Sequence, residues 1–285
     1  MLRYKNNCLP VGKKTMIISA SRRTDIPAFF SDWFLKILRD GSVKVSNPMN
    51  KKQIRTVLLN RAFVDAFVFW SKNPKPFFPV LDVLDKAGYP YYFLYTLNDY
   101  PQAIEPGVPP LEERIETMKQ LADRIGPDRV VWRYDPILLT RVISPEQHRE
   151  RFEKLADSLS GSVNTCIFSF YTPYRKTSRS MAQLGFILPD SDQKRDLVRH
   201  LAAVTAKKGI ELTACCCPDD YTDLSVRPAA CIDPDRLTLI TGKTFNRKKD
   251  SGQRPECHCI SSVDIGTYRT CRHNCRYCYA GSAAK

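Results

Sequence analysis

The sequence predicts an α/β fold, a (β/α) barrel or partial barrel of parallel strands, and three observations predict it. Short β-rich apolar runs alternate with amphipathic helical stretches along the 285 residues. Repeated βα units imply a parallel sheet, and six to eight of them imply a barrel, closed or open. Polar residues also recur directly after successive strands, the end at which parallel barrels carry function. A doubly wound open sheet is the alternative, but no Gly-rich phosphate loop follows the first strand.

The elements follow in order. "MIISA" (Met16–Ala20) is the first strand, and "PAFFSDWFLKILRDG" a helix opened by Pro27 and ended by Gly41, with Phe29, Phe30, Trp33, Phe34, Ile37 and Leu38 at helical spacing. "VKVSNP" is a short strand, "IRTVLLNRAF" a helix or strand, "AFVFW" (Ala66–Trp70) a strand and "FFPVLDVLDKAG" its helix. "YYFLYT" (Tyr91–Thr96) precedes a helix with Leu111, Ile115, Met118, Leu121, Ala122 and Ile125 on one face. "RVVWRY" (Arg129–Tyr134) is a strand, followed by a helix with a Ser144 cap and Pro145 at its first position. "NTCIFSFY" and "IELTACC" are strands around a helix near Asp192–Lys208, and "LTLIT" (Leu237–Thr241) is a further strand. Residues 1–210 form the main part of the barrel, and residues 211–285 its last strands and a cysteine-rich segment, integrated in one domain.

The composition, 43% hydrophobic and 26% charged, is that of a globular protein. The first residues lack the apolar stretch of a secretory signal and no later run is long enough to span a membrane, so a cytoplasmic protein without a membrane partner is expected. The net charge of +14 admits a polyanionic partner such as nucleic acid.

Eleven cysteines in a reducing compartment point to metal or redox chemistry rather than disulfides. Cys8 and Cys166 stand alone and read as small buried hydrophobes, whereas the other nine fall in the last quarter of the chain. Cys271, Cys275 and Cys278 are spaced C-x3-C-x2-C, with Tyr277 before the third. Two chemistries suit three such thiolates: a tetrahedral zinc site completed by His273 or His258, and a [4Fe-4S] cluster with one iron left open. The compactness of the segment favours the cluster, because structural zinc sites pair ligand turns that lie far apart in sequence. Cys215, Cys216, Cys217, Cys231, Cys257 and Cys259 make a second set. Strand alternation lets Cys215 and Cys217 share a face or leaves Cys216 to face alone. With Cys216, Cys231, Cys257 and Cys259 as ligands, a second iron–sulfur cluster and structural zinc both fit.

At the strand ends stand Arg22, Arg23 and Asp25, then Lys72, then Asn98, then Arg133 and Asp135, then Tyr171. The cationic side chains suit a carboxylate or phosphate, although ion pairs across the barrel top explain the same residues.

The segment "CRHNCRYCYA" resembles the cluster loop of radical SAM enzymes, in which the open iron binds S-adenosyl-L-methionine and one electron cleaves it to a 5′-deoxyadenosyl radical. That resemblance implies an external one-electron reductant. It also implies catalytic roles for Arg22, Lys72, Arg133, Asp135 and Tyr171, and cofactor contacts from Arg23, Asp25, Asn98 and Tyr277. "WSKNP" and "RYDP" resemble motifs of the spore photoproduct lyase-like branch, which includes a DNA repair enzyme and implies a nucleic-acid substrate. In the superfamily the loop follows the first barrel strand, whereas here it follows everything else. The stretches "ISASRRTDIP", "FWSKNP", "VWRYDP" and "QRPECHCISSVDIGTYRTCRHNCRYCYA" resemble an uncharacterised bacterial domain family with such C-terminal cysteines. A circular permutation reconciles the two, since a barrel brings its last and first strands together. It places the loop over the rim, facing Arg22, Lys72 and Arg133. The rival readings are an iron–sulfur protein that does not use S-adenosyl-L-methionine and a non-catalytic nucleic-acid-binding protein with structural metal sites.

Overall fold

The structure is a computed structural model that describes residues 15–281, so Cys8 lies outside the described residues. In chain order the elements are β1 (Met16–Ala20), α1 (Ile26–Phe29), α2 (Ser31–Asp40), β2 (Ser42–Ser46), β3 (Ile54–Leu58), β4 (Val64–Ser71), α3 (Phe78–Lys86), β5 (Tyr91–Thr96) and α4 (Leu111–Ile125). They continue with β6 (Val130–Ile137), α5 (Pro145–Leu159), β7 (Thr165–Phe170), α6 (Ser178–Gln183), α7 (Ser191–Lys207), β8 (Glu211–Ala214), β9 (Arg227–Pro228), α8 (Pro234–Thr241) and β10 (Val263–Asp264). Eight strands form one parallel sheet in the order β10-β1-β4-β5-β6-β7-β8-β9. Its edges, β10 and β9, are not paired with each other, and β2 and β3 form a separate antiparallel hairpin.

The strands are buried on both faces, which is why they read as continuous apolar runs rather than alternating ones. The outward side chains, among them Ile18, Phe67, Phe69, Phe93, Trp132 and Phe168, pack beneath the helices. Their alternates, Ile17, Val68, Tyr92, Leu94, Val131 and Ile167, form a second core, covered by the chain's own late segments through Cys231, Ile232, Leu237, Cys257, Cys259 and Ile260. The concave side of the sheet is thus filled by the cysteine-rich part of the chain, and the Tyr92 hydroxyl fixes it by donating to the Cys231 carbonyl at 2.6 Å.

Local signals account for most boundaries. Ser144 and Gln147 form a reciprocal capping box on α5, and Asp190 and Gln193 do the same on α7. Two expectations are corrected. The first long helix is two, α1 and α2, broken where Phe30 leaves helical geometry at φ −135° and ψ 32°. "LTLIT" is not a strand but the end of α8, because Asp233 caps the helix, Pro234 opens it and Gly242 closes it at φ +68°. Its β-branched residues suggested a strand, and the flanking caps prevail. One element was not anticipated, β10: two residues in "SSVDIG" complete the sheet by pairing parallel to β1, with Ile18 opposite Val263 and Ser19 opposite Asp264. No helix among the described residues is long and apolar enough to cross a membrane.

Candidate metal centres

The terminal loop begins at the C-terminal end of β10, the edge strand beside β1, and folds over the rim where β1, β4 and β5 end. Asp264 makes the junction. Its carboxylate accepts from Ser19 Oγ (3.2 Å), Ser21 Oγ (2.7 Å), the Arg22 amide (2.8 Å) and the Gly266 amide (2.9 Å). Farther on, His273 anchors the loop. Nε2 donates to Asp25 Oδ2 at 2.8 Å and Nδ1 to the Gly107 carbonyl at 3.0 Å, while the Gly107 amide donates to the His273 carbonyl at 2.9 Å. Both ring nitrogens thus face acceptors. His273 is therefore engaged structurally and is not the free fourth ligand considered from sequence.

Cys271, Cys275 and Cys278 sit in this anchored loop close enough to influence one another's charge. Burial pushes all three thiols up, Cys271 to about 12, where the negative charge of Asp25 adds to the effect. Lys72 acts in the opposite sense on Cys275 and Cys278. The Lys72 ammonium pairs with Glu105 Oε1 at 2.8 Å and lies 5.7 Å from the centre of the Tyr277 ring, and the Tyr277 hydroxyl also donates to that oxygen. Burial and then the Glu105 carboxylate push the Tyr277 phenol up, which keeps its proton in this bond. Glu105 Oε2 is buried without a partner.

Beside the loop, Arg22 and Arg133 both lie over the Trp70 ring, at 5.2 and 4.9 Å from its centre. The indole is fixed by its N–H, which donates to Ser19 Oγ at 3.1 Å. Arg133 pairs with Asp135 at 2.5 Å, and Asp135 also accepts from Ser169. Arg22 Nη2 and Arg133 Nε are buried without partners.

The remaining residues singled out from sequence are more occupied. Arg23 lies over Tyr268 and donates to the Gly266 carbonyl at 3.3 Å. Asp25 caps α1 through the Ala28 amide (2.9 Å) and accepts from the Lys72 amide (2.7 Å) besides His273. Both ends of the Asn98 amide bond the main chain of Asp135, at 2.9 and 3.0 Å. Tyr171 is buried in a small core with Tyr100, Met181 and Tyr277, its hydroxyl 2.5 Å from Thr177 Oγ1. Asp264 and Glu105 escaped the sequence reading. Asp264 belongs to a two-residue strand and Glu105 to a loop, so neither follows a strand with a recognisable pattern.

The second cysteine set occupies the concave face of the sheet. Cys215 and Cys231 sulfurs are 3.6 Å apart, and Cys216, Cys257 and Cys259 pack in the same core cluster, near enough for neighbouring thiols to act on one another's charge. The alternation argument fails here because β8 ends at Ala214 and Cys216 turns into the left-handed region at φ +48°. That turn brings Cys215 and Cys216 to the group together and sends Cys217 outward, where its sulfur is 3.8 Å from Asp219. Thiol donors from their neighbours hold Cys216 and Cys259 low, while Cys215 and Cys257, as donors to them, are pushed up. Cys166 is a buried core residue, as expected. As the side chains stand, no three or more His, Cys, Asp or Glu groups among the described residues form a ready cage for a metal ion.

Fold and site together define an α/β protein whose parallel sheet ends in an edge strand that feeds a three-cysteine loop. The chain belongs to the family described as Domain of unknown function (DUF1848), whose model matches residues 17–280. No curated protein matches it. Among solved structures it is similar, at 14% identity and a TM-score of 0.30, to a protein from Anabaena variabilis described as a sugar phosphate isomerase/epimerase, over 48% of this chain and 45% of that one. The chain thus matches less than half the length of that relative. A Bacteroides thetaiotaomicron protein described as an α-L-fucosidase is similar at 11% identity and a TM-score of 0.29, over 84% of this chain and 87% of that one. Likeness at this level carries no argument about function.

Proposed function

We propose that the chain is an iron–sulfur protein of radical SAM type on a permuted partial barrel, with Cys271, Cys275 and Cys278 as ligands of a [4Fe-4S] cluster. One observation carries the reading: β10 is a parallel edge strand and its C-terminal end leads into the C-x3-C-x2-C loop. In the superfamily, too, the cluster loop follows a strand, and that likeness supports the reading although the loop here stands last in sequence. The donor chemistry suits the group, since the three half-buried thiols are near enough to act on one another's charge and a cation, Lys72, acts on two of them. When bound, a cluster with one open iron supplies one-electron cleavage of S-adenosyl-L-methionine, for which an external reductant is needed. The chain's own residues would position the reactants. Glu105 Oε2 is a buried polar atom with free bonding capacity beside Lys72 and Tyr277, and it suits the amine of an amino acid.

The test uses protein purified without oxygen, reconstituted with iron and sulfide and reduced with dithionite. S-adenosyl-L-methionine should shift its electron paramagnetic resonance spectrum and yield 5′-deoxyadenosine, and a Cys271→Ala, Cys275→Ala, Cys278→Ala variant should do neither. A cluster whose spectrum ignores S-adenosyl-L-methionine would sink the enzyme reading.

Nucleic acid as partner is a second reading favoured by the β2–β3 hairpin. Lys44, Lys51, Lys52 and Arg55 are exposed there, and no acidic residue occurs between Asp40 and Asp65. Binding that weakens steeply with salt, and more weakly when these four are replaced by Gln, is expected; a salt-independent association would count against it.

A further inference from the structure

Five thiols from three segments meet on the concave face of the sheet: Cys215 and Cys216 just past β8, Cys231 before α8, and Cys257 and Cys259 in a C-x-C turn. Cysteines packed as small hydrophobes require no charge around them. Three guanidiniums nevertheless surround these. Arg22 acts electrostatically on Cys259 and Cys231, Arg133 on Cys231 and Cys215, and Arg254 on Cys216 and Cys215. Arg22 Nη2 and Arg133 Nε are buried with nothing accepting their protons. Desolvated cationic donors of that kind call for a negatively charged acceptor, and besides Asp264 for Arg22 and Asp135 for Arg133 these sulfurs are the anionic candidates that act on them. The Ile232 amide points at the same place, donating to Cys259 Sγ at 3.3 Å.

We propose that four of the five thiols, Cys231 and Cys259 among them, bind one divalent ion, zinc or ferrous iron, as a tetrahedral thiolate centre whose negative charge Arg22 and Arg133 compensate. A single ion accounts for the spacing. A tetrahedron with metal–sulfur bonds of about 2.3 Å has sulfurs about 3.8 Å apart, close to the 3.6 Å between Cys215 and Cys231. Thiolates on separate irons of a cubane stand farther apart. The five side chains do not form a cage as they stand, so binding turns them about their Cα–Cβ bonds between staggered settings. An access route exists, since a cavity lined by Val131, Ile167, Thr213, Ala229, Cys231 and His258 reaches the group. Cys217, turned to Asp219, takes no part.

The experiment uses the full chain carrying Cys271→Ala, Cys275→Ala and Cys278→Ala, so its outcome is independent of the terminal cluster. Metal analysis should find about one zinc or iron per chain without acid-labile sulfide, and X-ray absorption should find about four sulfur neighbours near 2.3 Å. Adding Cys217→Ser should leave the metal content unchanged, whereas adding Cys259→Ser should lower it at least tenfold after exposure to a chelator. If that last variant fails to fold, the sulfur count in the first still decides. Metal-free protein, iron with sulfide in cluster stoichiometry, or a Cys215–Cys231 disulfide by mass spectrometry would each overturn the proposal.

Discussion

Asp25→Asn tests the claim that the terminal loop is held to the rim by the buried Asp25–His273 hydrogen bond. The Asp25 side chain is 6% exposed and that of His273 3%. The carboxylate joins three segments, accepting from the Ala28 amide, the Lys72 amide and His273 Nε2 at 2.9, 2.7 and 2.8 Å. Asparagine keeps the shape but removes the charge and turns one oxygen into a donor. If its oxygen stays on Lys72 and His273, two charge-assisted bonds fall to neutral strength, at about 1 kcal/mol each. Its NH2 then faces the Ala28 amide, and the cap on α1, worth about 1 kcal/mol, is lost. The expected destabilisation is about 3 kcal/mol in urea unfolding. Amide exchange should rise most over residues 271–278, since His273 is their anchor. Combined with His273→Gln, the two changes should couple by about 1–2 kcal/mol. Additivity within about 0.5 kcal/mol, or loop exchange unchanged in Asp25→Asn, would refute the anchoring argument.

Two further predictions concern the fold around the site. His148 is fully buried, with Nδ1 2.6 Å from the Tyr134 hydroxyl and Nε2 3.1 Å from the Leu138 carbonyl, and burial lowers its pKa to about 4. The unfolded chain therefore binds this proton more readily. Stability should fall as pH drops from about 6.5 through 4, by up to about 3 kcal/mol, and His148→Gln should flatten that part of the profile in urea titrations. Parallel profiles for both proteins would contradict this. At Gly107 an added Cβ would collide with the Arg272 carbonyl, which is main chain and has no flexible end to move. Gly107→Ala should displace the terminal loop and reduce iron retained by Cys271, Cys275 and Cys278, while the far-ultraviolet dichroism of the sheet and helices stays as it was; unchanged iron retention would show that the contact is not limiting.

What was legible in the sequence is what local chemistry writes there. The strands from β4 to β7 appear as apolar runs because both faces are buried, and Ser144–Pro145 marks a helix start wherever it occurs. The C-x3-C-x2-C spacing is also local, so the terminal cysteine motif is visible before any fold. Illegible were the features decided by partners distant in sequence. β10 is two residues long and exists because β1 lies beside it, and Asp264 matters because Ser19, Ser21 and Arg22 donate to it. The membership of the second cysteine group turned on one backbone angle at Cys216, and strand periodicity carries no information on that.

The position of the cysteines at the end of the chain follows from the same geometry. A parallel sheet grows by adding strands at its edges, and neither edge has to be filled in sequence order. Here the chain builds from β1 to β9 across the sheet, packs residues 231–260 over its concave face, and then returns to the open edge of β1 as β10. The return needs the covering segment to be in place first, because that segment carries the chain from β9 back across the sheet. Cys231, Cys257 and Cys259 belong to it, so a metal held there would tie down the path along which the terminal loop reaches the rim. Loss of the inner centre should consequently loosen the outer loop, whereas loss of the three terminal thiols leaves the inner group untouched.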